Sequence, residues 1–218
     1  MVDVQRQIDA VSRTLRTTEV EGEPSYVQTV AQEYRSPIDA VWDAVTTAER
    51  IARWFLPVSG DLRPGGRYEL TGNASGEILE CSPPQGDRAG FRVTWEYGGG
   101  VTWLTLRLTA LDDERTRLEL EHTAHTADVP EEMWAMFGPG ATGVGWDQAL
   151  LGLALHLGDA EGSISPEEAQ AWQLSDEGKA FARAAADGWA RAHVAAGADP
   201  EAAARAADAT YGFYTGAS

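Results

Sequence analysis

Five short strand candidates joined by tight turns constrain the fold of this chain more than any other feature. They are rich in β-branched and aromatic residues, and glycine, asparagine or aspartate stands in the turns between them. They lie at residues 66–71, 76–81, 91–97, 101–110 and 116–124. Parallel neighbours need a crossover of about a dozen residues, so strands this close along the chain must be antiparallel.

Helical patterns flank this antiparallel run. A strand at 26–34 precedes a helix for which Ser36 is the predicted N-cap and Pro37 the first residue, and a short helix at 48–55 follows. After the sheet, residues 145–157 place Trp146 and Leu150 on one helical face. A sheet with one wet face must bury the other, and this helix is available to cover it. We predict an α+β helix-grip fold, a curved antiparallel sheet wrapped around a long helix.

The two ends of the chain differ from its middle. Residues 3–17 carry an apolar stripe at helical spacing, and residues 159–218 are rich in alanine. In the latter, Ser165 to Glu168 forms a capping box, and helices are predicted at 176–196 and from Asp199 to near Gly216. We predict three regions: an N-terminal helix and linker at 1–24, the helix-grip domain at 25–158 and a helical extension at 159–218.

The role of the terminal helices stays open at this point. The N-terminal helix is predicted to pack on the neighbouring domain, and a dimer contact or a pocket lid is the alternative. The C-terminal helices are predicted to form a hairpin, since Ala185, Gly188 and Ala192 give one helix a face of small residues. A homodimer interface is the alternative.

Charge and cysteine content exclude several function classes. The chain has 17 basic and 34 acidic residues, a net charge of −17, which repels phosphate backbones and argues against nucleic acid and anionic membranes as partners. Cys81 is the one cysteine, so neither an internal disulfide nor a multi-cysteine metal cluster forms. No apolar run approaches the roughly 18 residues of a membrane span, and the charged start does not match a signal peptide. We therefore expect a cytoplasmic protein.

Alternation along the strands predicts which side chains face the covering helix. Every second residue of a strand lies on one face, which puts aromatic and aliphatic groups together on the inner side. Such a surface is typical of a small-molecule pocket, although bulky side chains filling the space completely are the alternative. The predicted ligand-binding residues are Tyr68, Phe91, Trp95, Tyr97, Leu106, His122, Trp146 and Leu150.

His122 is the most informative single residue. On an otherwise apolar strand face, a histidine orients a ligand or transfers a proton near neutral pH, or it is a core residue satisfied by a backbone carbonyl. His125 lies three residues on, and that spacing turns the two rings to opposite faces of a strand. We therefore predict no metal site and no cofactor, and the catalytic residues, if any, are unknown, with His122 the one weak candidate.

A glycine-rich segment precedes the long helix. Residues 138–143 match the spacing of a dinucleotide-binding loop, but a helical turn rather than a strand comes before them. We predict a flexible hinge that gates the pocket. Cys81 is interpreted as a small strand residue rather than a reactive thiol.

Residues 25–158 resemble the SRPBCC superfamily, also called START-like or Bet v 1-like, in its heat-shock ATPase activator homologue branch. Each motif alone is weak, and the resemblance rests on their order and spacing over about 130 residues. The motifs are Ser36-Pro37, Val41-Trp42, Trp54-Phe55, Pro64-Gly65-Gly66, Gly76-Glu77-Ile78, Phe91 to Trp95, Thr116, Leu118 to His122 and Gly145-Trp146. The C-terminal helices look like an extension common in actinobacterial members.

The resemblance implies a helix-grip fold with an internal apolar pocket, but it does not imply one activity. The main hypothesis is binding of a hydrophobic or aromatic small molecule in that pocket. The first alternative is a co-chaperone-like activator with a heat-shock ATPase as partner. The second is a cyclase- or hydrolase-type enzyme that uses His122 as its base.

Overall fold

The computed structural model describes residues 3–158 and 166–216. In this part of the chain the helices are α1 Val4–Ala10, α2 Ile38–Thr46, α3 Ala48–Ile51, α4 Glu131–Phe137, α5 Gly140–Leu157, α6 Pro166–Leu174, α7 Asp176–Ala195 and α8 Pro200–Thr215. The strands are β1 Ser12–Val20, β2 Glu23–Tyr34, β3 Val58–Gly60, β4 Arg67–Leu70, β5 Ser75–Gln85, β6 Arg88–Tyr97, β7 Gly100–Asp112 and β8 Arg115–His125. No helix among these residues is long and apolar enough to cross a membrane.

The strands form one sheet in the order β1-β2-β8-β7-β6-β5-β4-β3. Each pair from β3 to β8 is antiparallel and consecutive in the chain, as the tight turns predict. The predicted α+β helix-grip fold with C-terminal helices is thus confirmed. The five predicted strands correspond to β4 to β8, and the short edge strand β3 carried no signal that we recognised.

The chain divides into two compact units. The sheet unit comprises Ala31–Ala124 and Ala149–Ser163, and the terminal unit comprises Met1–Val30, His125–Gln148 and Ile164–Ser218. Each unit therefore combines segments from separate parts of the chain, whereas the three predicted regions are each continuous. Among the described residues, the boundaries fall within β2, before the last residue of β8 and near the middle of α5.

The prediction of one helix over residues 3–17 is wrong beyond Ala10. The helix ends there, and Ser12–Val20 is strand β1. Val11 and Leu15 are buried and Arg13 has a side chain only 6% exposed, whereas Ser12 and Thr14 are exposed. Residues 11, 13 and 15 therefore face inward with the period of two that is typical of a strand. The sequence pattern did not show this period because position 13 is an arginine, a residue rarely buried without a partner.

Two helix starts are also corrected. α2 begins at Ile38 with Pro37 in the N-cap position and no side-chain cap, while the carbonyl of Ser36 accepts a 2.8 Å hydrogen bond from Oγ1 of Thr116. α5 begins at Gly140, five residues before the predicted start. The three glycines in its first two turns disfavour a helix by propensity, and packing overrides that preference.

The C-terminal helices agree with their predicted signals. Asp199 caps α8 by accepting a hydrogen bond from the Ala202 amide at 2.9 Å, and Gly216 ends it with φ of 66°. The predicted small-residue face of α7 is buried, with Ala185 at 0% and Ala192 at 7% exposure, and it packs in the terminal unit against α8, α1 and β1. The helical hairpin is therefore present. The capping serine predicted at 165 lies outside the described residues.

Candidate functional site

The strand register shows which residues share the inner face of the sheet unit. Cross-strand partners lie on the same face of a sheet, so each row of partners is a line across it. Three rows are formed by Trp95 and Thr102, by Val93, Leu104 and His122, and by Phe91, Leu106 and Leu120. The predicted face is therefore assembled from three strands, with one hydroxyl and one imidazole among aromatic and aliphatic groups.

His122 and Thr102 form the polar centre of this face. His122 is 7% exposed, and its Nε2 lies 2.8 Å from Oγ1 of Thr102. Oγ1 of Thr102 is also within 3.2 Å of the Trp95 carbonyl, to which it can donate. Burial lowers the pKa of His122 to about 4. The imidazole is therefore neutral at pH 7, and the pair offers hydrogen bonds without charge.

Tyr68 lies on the neighbouring strand β4 and is 8% exposed. Its hydroxyl donates a 2.6 Å hydrogen bond to the Thr94 carbonyl, and burial raises its pKa. Gly76, its partner on β5, leaves room for the ring, because a Cβ there would stand 2.8 Å from the tyrosine Cε1. The phenol is thus held by the backbone and presents mainly its ring.

Two further predicted residues, Phe91 and Leu150, make contacts that involve helices of the sheet unit. The ring of Phe91 lies 6.4 Å from that of Trp42 on α2, in a tilted arrangement. Leu150 on α5 is buried, and its carbonyl accepts a 3.3 Å hydrogen bond from the Tyr34 hydroxyl. On the same helix, Gly152 approaches the Trp54 backbone so closely that a Cβ would stand 2.3 Å from its carbonyl oxygen. The α5 segment is thereby fixed by backbone contacts.

Two predicted ligand-binding residues are not part of this set. Tyr97 is 64% exposed, because it ends β6 beside the Gly98-Gly99 turn, so it does not lie in an enclosed site. Trp146 is buried, but it belongs to the terminal unit. Phe91, Trp95, Leu106 and His122 therefore lie in the three rows, while Tyr68 lies on β4 and Leu150 on α5 of the same unit.

A family model described as "Activator of Hsp90 ATPase homolog 1-like protein" matches residues 35–158. This span is more than half of the chain and includes every strand from β3 to β8. The chain belongs to this activator homologue family.

Solved structures support the assignment. The crystal structure of CalU16 from Micromonospora echinospora is 36% identical, covers 81% of this chain and 98% of its own, and aligns with a TM-score of 0.56. Its solution NMR structure aligns with a TM-score of 0.66 at 30% identity, covering 86% and 97%. A protein of unknown function from Enterococcus faecalis, 13% identical over 78% of this chain and 91% of its own, shares the fold with a TM-score of 0.51. No curated protein matches.

Outside the sheet unit, this family member contains a buried ion pair that the sequence analysis missed. Asp147 is fully buried and accepts hydrogen bonds from Arg13 at 2.7 and 3.0 Å and from the Trp189 indole at 2.9 Å. Burial raises the pKa of Asp147, and the guanidinium and the indole oppose that rise. The three residues come from distant parts of the chain, so no local pattern could have paired them.

The glycine-rich segment 138–143 is packed rather than hinge-like, which corrects the prediction of a gating hinge. A Cβ on Gly143 would stand 2.3 Å from the Trp189 ring, and one on Gly140 would stand 2.6 Å from Oγ1 of Thr210. Gln28 ties the same segment down by donating a 2.6 Å hydrogen bond to the Pro139 carbonyl. The glycines serve close helix contact and not a phosphate.

A serine–histidine pair was also missed. Oγ of Ser25 lies 2.9 Å from Nδ1 of His125, but the serine is fully buried and its hydroxyl is also 2.9 Å from the Glu23 carbonyl. Because the serine hydroxyl donates to that carbonyl, it accepts a hydrogen bond from the imidazole. A nucleophilic serine needs the reverse, a hydroxyl that donates to the imidazole. The pair therefore fastens β2 to the end of β8 within the terminal unit.

The remaining reactive groups give no second centre. Cys81 pairs with Phe91 across β5 and β6, and burial raises the pKa of its thiol, which disfavours the thiolate. Among the described residues, no three histidine, cysteine, aspartate or glutamate side chains come together as a metal site would require. The inner face around His122 is the best candidate for a functional site.

Proposed function

We propose that the inner face of the sheet unit binds an uncharged, largely apolar or aromatic small molecule. The observation that carries this proposal is the neutral pair of His122 and Thr102, 2.8 Å apart, on a face otherwise formed by aromatic and aliphatic side chains in its three rows. Small-molecule sites combine an apolar lining with a few polar groups that fix orientation. Desolvation of a charged ligand group in such surroundings would be costly, which favours a neutral molecule.

The ligand is expected to hydrogen bond at the Thr102–His122 pair and to stack on the aromatic residues. Trp95 shares its row with Thr102, and Phe91 lies four residues earlier on β6. A hydroxyl or carbonyl on an aromatic ring system matches both features, because it meets the polar pair while the rings meet the apolar groups.

Fluorescence titration with the neutral apolar probe N-phenyl-1-naphthylamine tests the proposal. Saturable binding with energy transfer from tryptophan is expected. Thr102→Val should weaken displacement of the probe by hydroxylated aromatic competitors about fivefold, since one good hydrogen bond corresponds to about 1 kcal/mol. Thr105→Val is the matched control, because it makes the same change on the opposite face of β7. Absence of saturable probe binding to folded protein, or equal effects of the two variants, would contradict the proposal.

The family model itself names the second candidate, activation of a heat-shock ATPase. Family membership does not establish an activity, because one fold carries many functions. Turnover of a purified Hsp90-type ATPase with increasing amounts of this protein is the direct measurement. A concentration-dependent rise supports this candidate, and unchanged turnover at saturating protein removes it.

The geometry gives less support to an enzyme with His122 as base. A general base works best with a pKa near the working pH, and that of His122 is lowered to about 4. The residue is better suited to hydrogen bonding than to proton abstraction at pH 7. If an activity is found, its retention in His122→Gln would exclude the role of base.

A further inference from the structure

An exposed apolar stripe lies on two helices of the terminal unit. Met133 and Met136 on α4 are 48% and 54% exposed, and Phe213 on α8 is 69% exposed. Residues 133, 136 and 137 are spaced i, i+3 and i+4, so they share one face of α4. We call Met133, Met136, Phe137 and Phe213 the α4/α8 patch.

The patch is continuous across the two helices. The rings of Phe137 and Phe213 are 5.7 Å apart in an edge-to-face arrangement, which joins α4 to α8. Another side of α4 is held by Trp134, which stacks on Tyr26 at 3.7 Å and meets His193 at 5.6 Å. The orientation of the helix is thereby set, with both methionines turned towards solvent.

Three carboxylates lie at the start of α4. Asp128, Glu131 and Glu132 are all exposed and lie within or just before the first turn of α4. The sequence contains no lysine or arginine between Arg117 and Lys179. The α4 segment therefore carries exposed apolar and acidic side chains and no basic residue of its own.

The charge decides between occupants. An anionic lipid surface would be repelled, and a second copy of the chain would bring the same three carboxylates towards each other. A positively charged partner gains from both features. Unbranched, polarisable methionine side chains adapt to varied apolar partners, and an amphipathic helix commonly lays its apolar face on such a surface.

We propose that the α4/α8 patch binds a basic amphipathic helix of a partner polypeptide. The apolar side of the helix packs on Met133, Met136 and Phe213, and its lysine or arginine side chains pair with the carboxylates at the start of α4. This interaction does not depend on the proposed ligand site, whose residues all lie in the sheet unit.

Titration with a synthetic helical peptide tests the proposal. The probe is a 14-residue leucine–lysine peptide with leucines at i, i+3, i+4 and i+7 spacing, measured by fluorescence anisotropy at about 150 mM salt, where long-range attraction is screened. Saturable binding is expected. The double variant Met133→Ser/Met136→Ser should weaken it at least about tenfold, as removal of interface anchors does. Leu111→Ser, an exposed leucine of the sheet unit, is the matched control and should bind like the parent protein.

The charged groups are tested separately. Glu131→Gln/Glu132→Gln should weaken binding several-fold and reduce its salt dependence, whereas Asp113→Asn/Glu114→Gln, exposed in the β7–β8 turn, should do neither. Circular dichroism and thermal unfolding establish that each variant is folded.

Four outcomes in peptide binding and light scattering overturn the proposal. They are equal binding of a scrambled peptide of the same composition, absence of binding at about 100 µM peptide, insensitivity to the methionine substitutions, and self-association in light scattering that Phe213→Ser abolishes. Preferential binding of phosphatidylglycerol vesicles over the peptide would also overturn it, because the patch would then be a membrane contact.

Discussion

The two compact units bury polar groups in different ways. In the sheet unit the buried polar centre is the neutral pair of His122 and Thr102, from neighbouring strands. In the terminal unit it is the ion pair of Arg13 and Asp147, completed by the Trp189 indole. The sheet pair joins residues 20 positions apart, and the ion pair joins residues 134 positions apart.

The contrast shows two uses for a buried polar group. Hairpins already define the strand order of the sheet unit, so its polar pair is not needed to select the fold, and we have proposed that it orients a ligand. Three separate chain segments meet in the terminal unit, and Arg13 in β1 satisfies the Asp147 carboxylate there with charge. We therefore infer that the ion pair specifies assembly. Each prediction below tests this division.

The largest effect is expected for Asp147→Ala. Removing the carboxylate leaves a buried guanidinium without its counter-ion, and breaking one side of such a pair costs about 3–5 kcal/mol. The free energy of unfolding, measured with urea, should fall by that amount. A loss below about 1 kcal/mol would mean that the pair is not a determinant of the terminal unit.

The matched double variant Arg13→Met/Asp147→Asn separates charge from packing. It removes both charges, and the asparagine still offers an oxygen to the Trp189 indole. Replacing both members of a buried pair is often close to neutral, so most of the stability lost in Asp147→Ala should return. A double variant as unstable as the single one would assign the loss to packing instead.

The second effect concerns acid and the sheet unit. His122 is neutral in the folded protein with a pKa of about 4, whereas the unfolded side chain titrates near 6.5. The unfolded state therefore binds the extra proton first, and stability is lost as pH falls from 6.5 towards 4. The shift corresponds to about 3 kcal/mol over this window.

Urea unfolding of the parent protein and of His122→Gln at several pH values between 4 and 7.5 measures this contribution. The other titrating groups are common to both proteins, so the difference between the two curves isolates His122. Parallel curves would show that the imidazole is not buried in its neutral form.

The third effect concerns helix contact in the terminal unit. Gly143→Ala places a methyl group against the buried Trp189 ring, and overpacking of this kind costs about 1–3 kcal/mol. Gly145→Ala on the same helix is the control, because its nearest neighbour is the Tyr214 hydroxyl at 3.2 Å and alanine favours a helix. Thermal unfolding should separate the two. Equal unfolding temperatures would argue against the close contact.

The smallest effect is expected for Thr102→Val in the absence of ligand. The change removes one hydroxyl from His122, which corresponds to about 1 kcal/mol for a buried partner. Thr105→Val should leave the unfolding free energy nearly unchanged. Together with Asp147→Ala, this pair ranks the buried polar centres of the two units.

Local patterns in the sequence were sufficient for strands β4 to β8 of the sheet unit. Alternation places Leu104 and Leu106 on one face and Trp103 on the other, and the burial of the strand agrees. The shared face of Phe91, Trp95, Leu106 and His122 follows from the same rule. Tyr97 follows it too but is exposed, because alternation specifies the face of a strand and not how far the covered part of the strand extends.

The terminal unit depended on contacts that no local pattern contains. Arg13 hides the period of β1, since its burial is made favourable only by a carboxylate far along the chain. Gly143 has the spacing of a glycine in a nucleotide-binding loop, but the structure shows that it is needed for close contact with the Trp189 ring. In both cases the sequence signal depends on the tertiary partner of the residue.

The separation of Arg13 from its partners also bears on the order in which the chain can fold during synthesis. The hairpins of β4 to β8 need only neighbouring residues and can pair while the chain is still growing. Arg13 leaves the ribosome early, but Asp147 follows 134 residues later and Trp189 later still, several seconds at ordinary elongation rates. A nascent chain therefore carries an unmatched guanidinium in β1 throughout that interval, and the terminal unit is completed only after the sheet has been synthesised.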